Sequence, residues 1–289
     1  MSKELGVNRT QRITVEWLQQ SDLKGDDLLL EALLRRGFLA YRDDDGVWLG
    51  TGSHPEDLEV LKLIDGLEVI PIFDHKERMA RVTSQPTRVN EMDVAIGIIG
   101  VPENRSFNFG GDYPSGRWGS GWAAYQNMAW GAKVATCPTR YLHKHELGYC
   151  ALDLGVALLI KALPLARVAT DFFSCDGHGS RPASILFRFE WDASWGNAVF
   201  KVLEGAMPHS NWEWRGGVSI GPHGEFSSIN TLGMLNDIQH FARRLLNQTT
   251  IAKIGRARSR TLATFGKHGP TTRDFADEAT RQLAEEFAC

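Results

Sequence analysis

Long apolar runs are missing from this sequence. The longest, Val156 to Ile160, stops at Lys161, and Met1, Ser2, Lys3 and Glu4 open no apolar leader, so nothing marks a helical membrane span or an export signal. Cysteine is scarce as well. Four in 289 residues (Cys137, Cys150, Cys175, Cys289) are too few for a disulfide framework, and reduced thiols in a cytoplasmic protein are the expectation. Nucleotide and hydrolase signatures are also absent: there is no Gly-x-x-x-x-Gly-Lys-Ser/Thr loop, no His-Glu-x-x-His and no Gly-x-Ser-x-Gly, and Gly97 and Gly100 open no dinucleotide fingerprint. These absences argue against triphosphate hydrolysis, zinc proteolysis and serine hydrolysis by those routes. Acidic residues vanish from one stretch. Ile238 to Arg273 holds eight Lys or Arg and no Asp or Glu, which leaves −11 on the remainder of a chain whose total is −3. A basic block on an acidic body suits a contact with phosphate or with an acidic surface, or a solvated helix face.

What is present reads as a packed globule, at 43% apolar residues, with helices and strands mixed. Leu28, Leu29, Ala32 and Leu33 repeat at helical spacing over Gly25 to Arg36, with Gly37 as the stop. Phe38 to Arg42 and Val47 to Thr51 flank Asp43-Asp44-Asp45-Gly46, a hairpin signal. Ser53 and Glu56 form a capping box for a helix over Leu58, Leu61, Leu63 and Ile64 that closes near Gly66. Leu67 to Phe73 and Val94 to Val101 read as buried strands.

Residues 1–105 therefore form a smaller α/β-like N-terminal region. Residues 106–135 are a Gly/aromatic loop: Ser106 to Trp130 alone carries five glycines and seven aromatics, with neither helical nor strand period until Ala123. A loop so rich in Trp covers apolar surface or holds a ligand. Residues 136–289 are the main α+β region. Its expected elements are a helix from Glu146 to Leu163 ended by Pro164, strands Val168 to Cys175 and Ser184 to Phe189, and a helix Asp192 to Ala206. A strand Trp212 to Ile220 follows, then helices Ile229 to Leu246, Thr250 to Phe265 and Thr272 to Phe287. The fold class expected is α+β, a mixed or antiparallel sheet covered by helices, with a helical C-terminal tail.

The sharpest local feature runs from Asp171 to Gly179, where an expected strand gives way to a turn. Gly177 and Gly179 permit close backbone approach and leave Cys175 and His178 near enough to share a ligand or a proton. An imidazolium beside a thiol favours the reactive thiolate, so Cys175 is a candidate nucleophile with His178 as base and Asp171 or Asp176 as orienter. The alternative is a small buried cysteine at a strand end. Cys137, His143, His145 and Cys150 form a second cluster: two imidazoles on one side of an extended segment suit a metal such as zinc, although no paired Cys-x-x-Cys is present. A polar loop leading into a helix, with His145 near its N-cap, is the plainer account of them.

In the tail, 100° per residue places Lys253, Arg256 and Arg260 within about 60° of one another, opposite Ile251, Ile254, Leu262 and Phe265; Arg258 spoils the pattern by falling in the apolar stripe and Gly255 weakens the helix, so an ordered arm is the alternative. Trp212 and Trp214 share one strand face, more typical of a packed sheet than of a base-stacking platform. Two functional classes follow. One is a Cys/His-centred enzyme acting on a nucleotide or nucleic acid. The other is a non-catalytic subunit that holds nucleic acid or a protein partner through Arg117, Trp118, Trp122 and the basic helix. Neither involves a membrane.

Overall fold

The computed structural model describes residues 9–50, 55–72, 78–85, 89–101, 104–107, 149–152, 158–159, 162–168, 185–187, 190–204, 212–215, 219–222, 231–266 and 269–288. Two helices, α1 (Arg9–Gln20) and α2 (Gly25–Arg36), come first. α2 is buried all round from Leu28 to Arg36, and Gly37, at φ 96°, ends the helix as its sequence requires. The N–H groups of Gly37 and Phe38 close on the Leu34 and Leu33 carbonyls, each at 2.9 Å, which a residue with a Cβ would do only under strain.

The expected hairpin follows as β1 (Ala40–Asp43) and β2 (Gly46–Gly50), with Asp43 opposite Gly46. After α3 (Pro55–Leu61), β3 (Leu67–Pro71) and β4 (Arg78–Ser84) complete an antiparallel sheet of order β1-β2-β4-β3. β4 was not expected from the sequence, yet Ala80 and Val82 make it a buried inner strand. The capping box at Ser53 lies outside the described residues, and Leu63, expected on the apolar face of α3, is 85% exposed beyond the helix end.

The expected strand Val94 to Val101 is a helix, α4 (Glu91–Gly100). Asn90 supplies the cap, its Oδ1 accepting from the Met92 N–H at 2.9 Å, and Glu91 and Asp93 place negative charge in the first turn. Val94, Ala95, Ile98 and Ile99 are the buried positions, the spacing of one helical face.

β5 (Asn104–Phe107) pairs antiparallel with β6 (Tyr149–Leu152). This corrects two boundaries: Ser106 and Phe107 end a strand, and Tyr149 to Leu152 is strand where a helix from Glu146 to Leu163 was expected. Pro164 sits inside a 3-10 turn, Leu163–Ala166. Next come β7 (Ile185–Leu186), α5 (Glu190–Glu204), β8 (Trp212–Arg215) and β9 (Ser219–Pro222), with sheet order β7-β9-β8. The single strand expected from Trp212 to Ile220 is therefore two antiparallel strands, β8 and β9.

Three helices close the chain: α6 (Thr231–Leu245), α7 (Gln248–Phe265) and α8 (Thr272–Ala288). α8 packs along α5; the sequence spacing puts Phe275, Ala279, Leu283 and Phe287 on one stripe, of which the first three are fully buried and Phe287 only partly. Phe200 of α5 meets Phe241 of α6 with ring centroids 4.2 Å apart, and the buried Trp195 Nε1–H donates to the Ala166 carbonyl at 2.7 Å. One cluster of buried apolar side chains extends from Leu18 in α1 to Leu283 in α8. The fold is α+β, with antiparallel sheets covered by helices and a helical C-terminal segment. No helix among the described residues is long and apolar enough to cross a membrane.

Candidate functional site

α7 starts at Asn247, whose Oδ1 caps the helix by accepting from the Thr250 N–H at 3.0 Å. Its inner face buries Ile254, Ala257, Arg258, Thr261 and Leu262. Lys253, Arg256 and Arg260 share the other side, as the sequence angles require, but that side meets α8 as well as solvent. Arg256 reaches Glu286 Oε2 through Nε at 3.0 Å and Nη2 at 2.8 Å. Arg260 gives Nη1 to Glu286 Oε1, Nε to Gln282 Oε1 and Nη2 to the Gln282 carbonyl. Lys253 Nζ stands 5.4 Å from the centre of the half-buried Phe287 ring. One carboxylate thus serves two guanidiniums, and their hydrogen bonds, Arg256 first, hold it below the usual carboxylate range.

The two helices are complementary in charge. α7 carries four basic residues and no acidic one, whereas α8 carries five acidic and two basic. α8 also satisfies itself: Arg281 bridges Glu278 at 2.7 Å and reaches Glu285 one turn on. Glu278 accepts in addition from Gln282 at 2.8 Å and from Thr264 of α7 at 2.9 Å. These bonds, chiefly the one from Arg281, lower Glu278 to about 2.

Arg258, which by sequence breaks the apolar stripe, is instead buried within it. Its Nη2 lies 3.5 Å from Asp192 Oδ1, and its guanidinium carbon 4.8 Å from the Trp195 ring centre. Arg167, at φ 61°, stands close enough to Arg258 that burial first and the neighbouring charge second hold its pKa below the ordinary arginine value.

A second polar cluster was not anticipated from the sequence. Glu31 of α2 sits in an otherwise leucine-rich face and accepts from Arg35 Nε at 2.8 Å and from Arg243 of α6. The Gln239 amide, oriented by this network, donates to Glu31 Oε1 at 2.6 Å. Arg35 Nη2 reaches Asn236 Oδ1 at 2.7 Å, and its guanidinium lies 3.7 Å from the Trp17 ring centre. Burial lowers the Arg35 pKa against the opposing pull of Glu31. The available signal was a Glu four residues before an Arg on a helix that is apolar elsewhere.

Arg117, Trp118, Trp122, Cys137, His143, His145, Asp171, Cys175, Asp176 and His178 lie outside the described residues. Cys150 is on β6, opposite Ser106. Among the described residues, no three His, Cys, Asp or Glu side chains are grouped to hold a metal.

Fold and site together define an α+β protein whose C-terminal pair sets a basic helix against an acidic one. Comparison with family models, with characterised proteins and with solved structures finds no match to this chain.

Proposed function

We propose that this chain binds nucleic acid, with the solvent edge of α7 as its phosphate contact. The observation that supports this reading is the state of Arg256 and Arg260. A guanidinium carries five N–H donors. Arg256 uses two of them on Glu286 and Arg260 three on Glu286 and Gln282, and the two side chains remain 56% and 43% exposed. Both therefore present unused, fixed donors of the kind that recognises phosphate oxygens. On sequence grounds the proposal extends to chemistry on the bound nucleotide, with Cys175 as nucleophile or ligand, His178 as base or ligand, and Asp171 or Asp176 as orienter.

The test of the α7 reading is the salt dependence of binding to a fluorescein-labelled polyuridine RNA. On a single strand each neutralised phosphate contributes roughly 0.7 to the log–log slope, so replacing Lys253, Arg256 and Arg260 together with Ala should remove about two units. An unchanged slope would assign these charges to the docking of α8 alone. The same variant removes two partly exposed ion pairs, which are individually weak, so its unfolding midpoint should fall only modestly.

A further inference from the structure

Resting on the α7 reading, we infer that α8 carries a built-in competitor for nucleic acid: Glu286 occupies the place between Arg256 and Arg260 that a phosphate would take. Both of its oxygens are engaged, Oε2 by Arg256 and Oε1 by Arg260, which is how the two non-bridging oxygens of a phosphodiester would meet the same guanidiniums. The helix does not favour a carboxylate there. Glu286 lies in the last turn of α8, where the backbone carbonyls present partial negative charge, so the arginines of α7 are what hold it.

The end of α8 is also the part able to leave. Its fully buried stripe of Phe275, Ala279 and Leu283 stops at Leu283, and beyond it Glu286 and the half-buried Phe287 are the residues that touch α7. If the last turn swings away, with Phe287 leaving the edge of the core while the stripe stays packed on α5, Arg256 loses its acidic partner and Arg260 keeps only its bonds to Gln282. Glu285, the neighbouring acid, pairs with Arg281 on α8 itself and blocks nothing on α7.

The experiment compares wild type, Glu286→Gln and Glu285→Gln by fluorescence anisotropy with labelled polyuridine RNA at low salt. Each variant removes one negative charge from the same turn. Glu286→Gln should tighten binding roughly five- to tenfold, the loss of two competing ion pairs, while Glu285→Gln should change it less than about twofold. Equal gains would overturn the inference and leave the α7 reading standing, since only net charge would matter. Weaker binding by Glu286→Gln would overturn it too, making Glu286 a positioning residue for the arginines. If neither wild type nor Glu286→Gln binds, the α7 reading itself fails, and the inference with it. Glu286→Asp keeps the charge but shortens its reach by one methylene. It should fall between wild type and Gln, and it carries the test if Gln perturbs folding.

Discussion

Glu31→Gln is the substitution whose cost the structure specifies best. The Glu31 carboxylate is 10% exposed and serves two guanidiniums, of which Arg35 is 3% exposed and Arg243 is 41% exposed. Removing the charge leaves Arg35 buried without its counter-ion, and breaking one partner of a buried pair costs about 3 to 5 kcal/mol. Removing Arg243 instead, by Arg243→Ala, leaves the Glu31–Arg35 pair intact and releases a half-exposed partner, for about 1 kcal/mol or less. Chains somewhat shorter than this one shift by about 2 to 4 °C per kcal/mol, so at the low end of that range Glu31→Gln should lower the thermal midpoint by roughly 6 to 10 °C and Arg243→Ala by roughly 2 °C. Circular dichroism melts, with urea titrations to check that the slope is preserved, measure both. The double variant Glu31→Gln, Arg35→Met should recover part of the loss, because it replaces an orphaned charge with an apolar side chain of similar length. A Glu31→Gln midpoint no lower than that of Arg243→Ala, or a double variant worse than the sum of its parts, would refute the claim that an uncompensated Arg35 sets the cost.

Thiol labelling of the folded protein tests Cys175. It should react faster than a buried control cysteine, and Cys175→Ala and His178→Ala should each abolish turnover of a nucleotide substrate; slow labelling and unaffected variants would end the catalytic reading, and metal content well below one ion per chain would end the metal-site reading at Cys137, His143, His145 and Cys150. Acid should loosen the α7–α8 pair. Glu278 and Glu286 both titrate below the ordinary carboxylate value of 4.5, Glu278 at about 2, so their stabilisation is fully present above pH 4.5 and is lost as pH falls from there towards 2. Protection of α8 amides from hydrogen exchange, measured against the intrinsic rate at each pH, should fall across that window in wild type and much less in a Glu278→Gln, Glu286→Gln variant; identical profiles would refute the assignment.

Legibility in the sequence followed the range of the signal. α2, α7 and α8 fall within two residues of their expected limits because local devices mark them: Gly37 after α2, Asn247 before α7, and Thr271 with Asp274 at the start of α8, where the Asp274 N–H donates to Thr271 Oγ1 at 3.1 Å. α4 was misread because its run of apolar residues has a strand-like composition, and the deciding feature was the Asn90 cap. β6 was misread because its partner β5 lies some forty residues upstream, and no local pattern encodes such a pairing. The site divides in the same way. The shared face of Lys253, Arg256 and Arg260 is a matter of helical angles, whereas Glu286, 26 residues beyond Arg260, looks in sequence like one more surface acid.

The Glu31–Arg243 contact joins residues 212 positions apart, and this separation sets a clock on synthesis. At 5 to 20 residues per second, α2 waits roughly 10 to 40 s between leaving the ribosome and the arrival of its α6 partner. During that interval the surface around Glu31 and Arg35 is open to water and to other chains. A charged pair is better suited to such a wait than a leucine patch would be, because it stays hydrated while alone and is desolvated only when Arg243, Asn236 and Gln239 close over it.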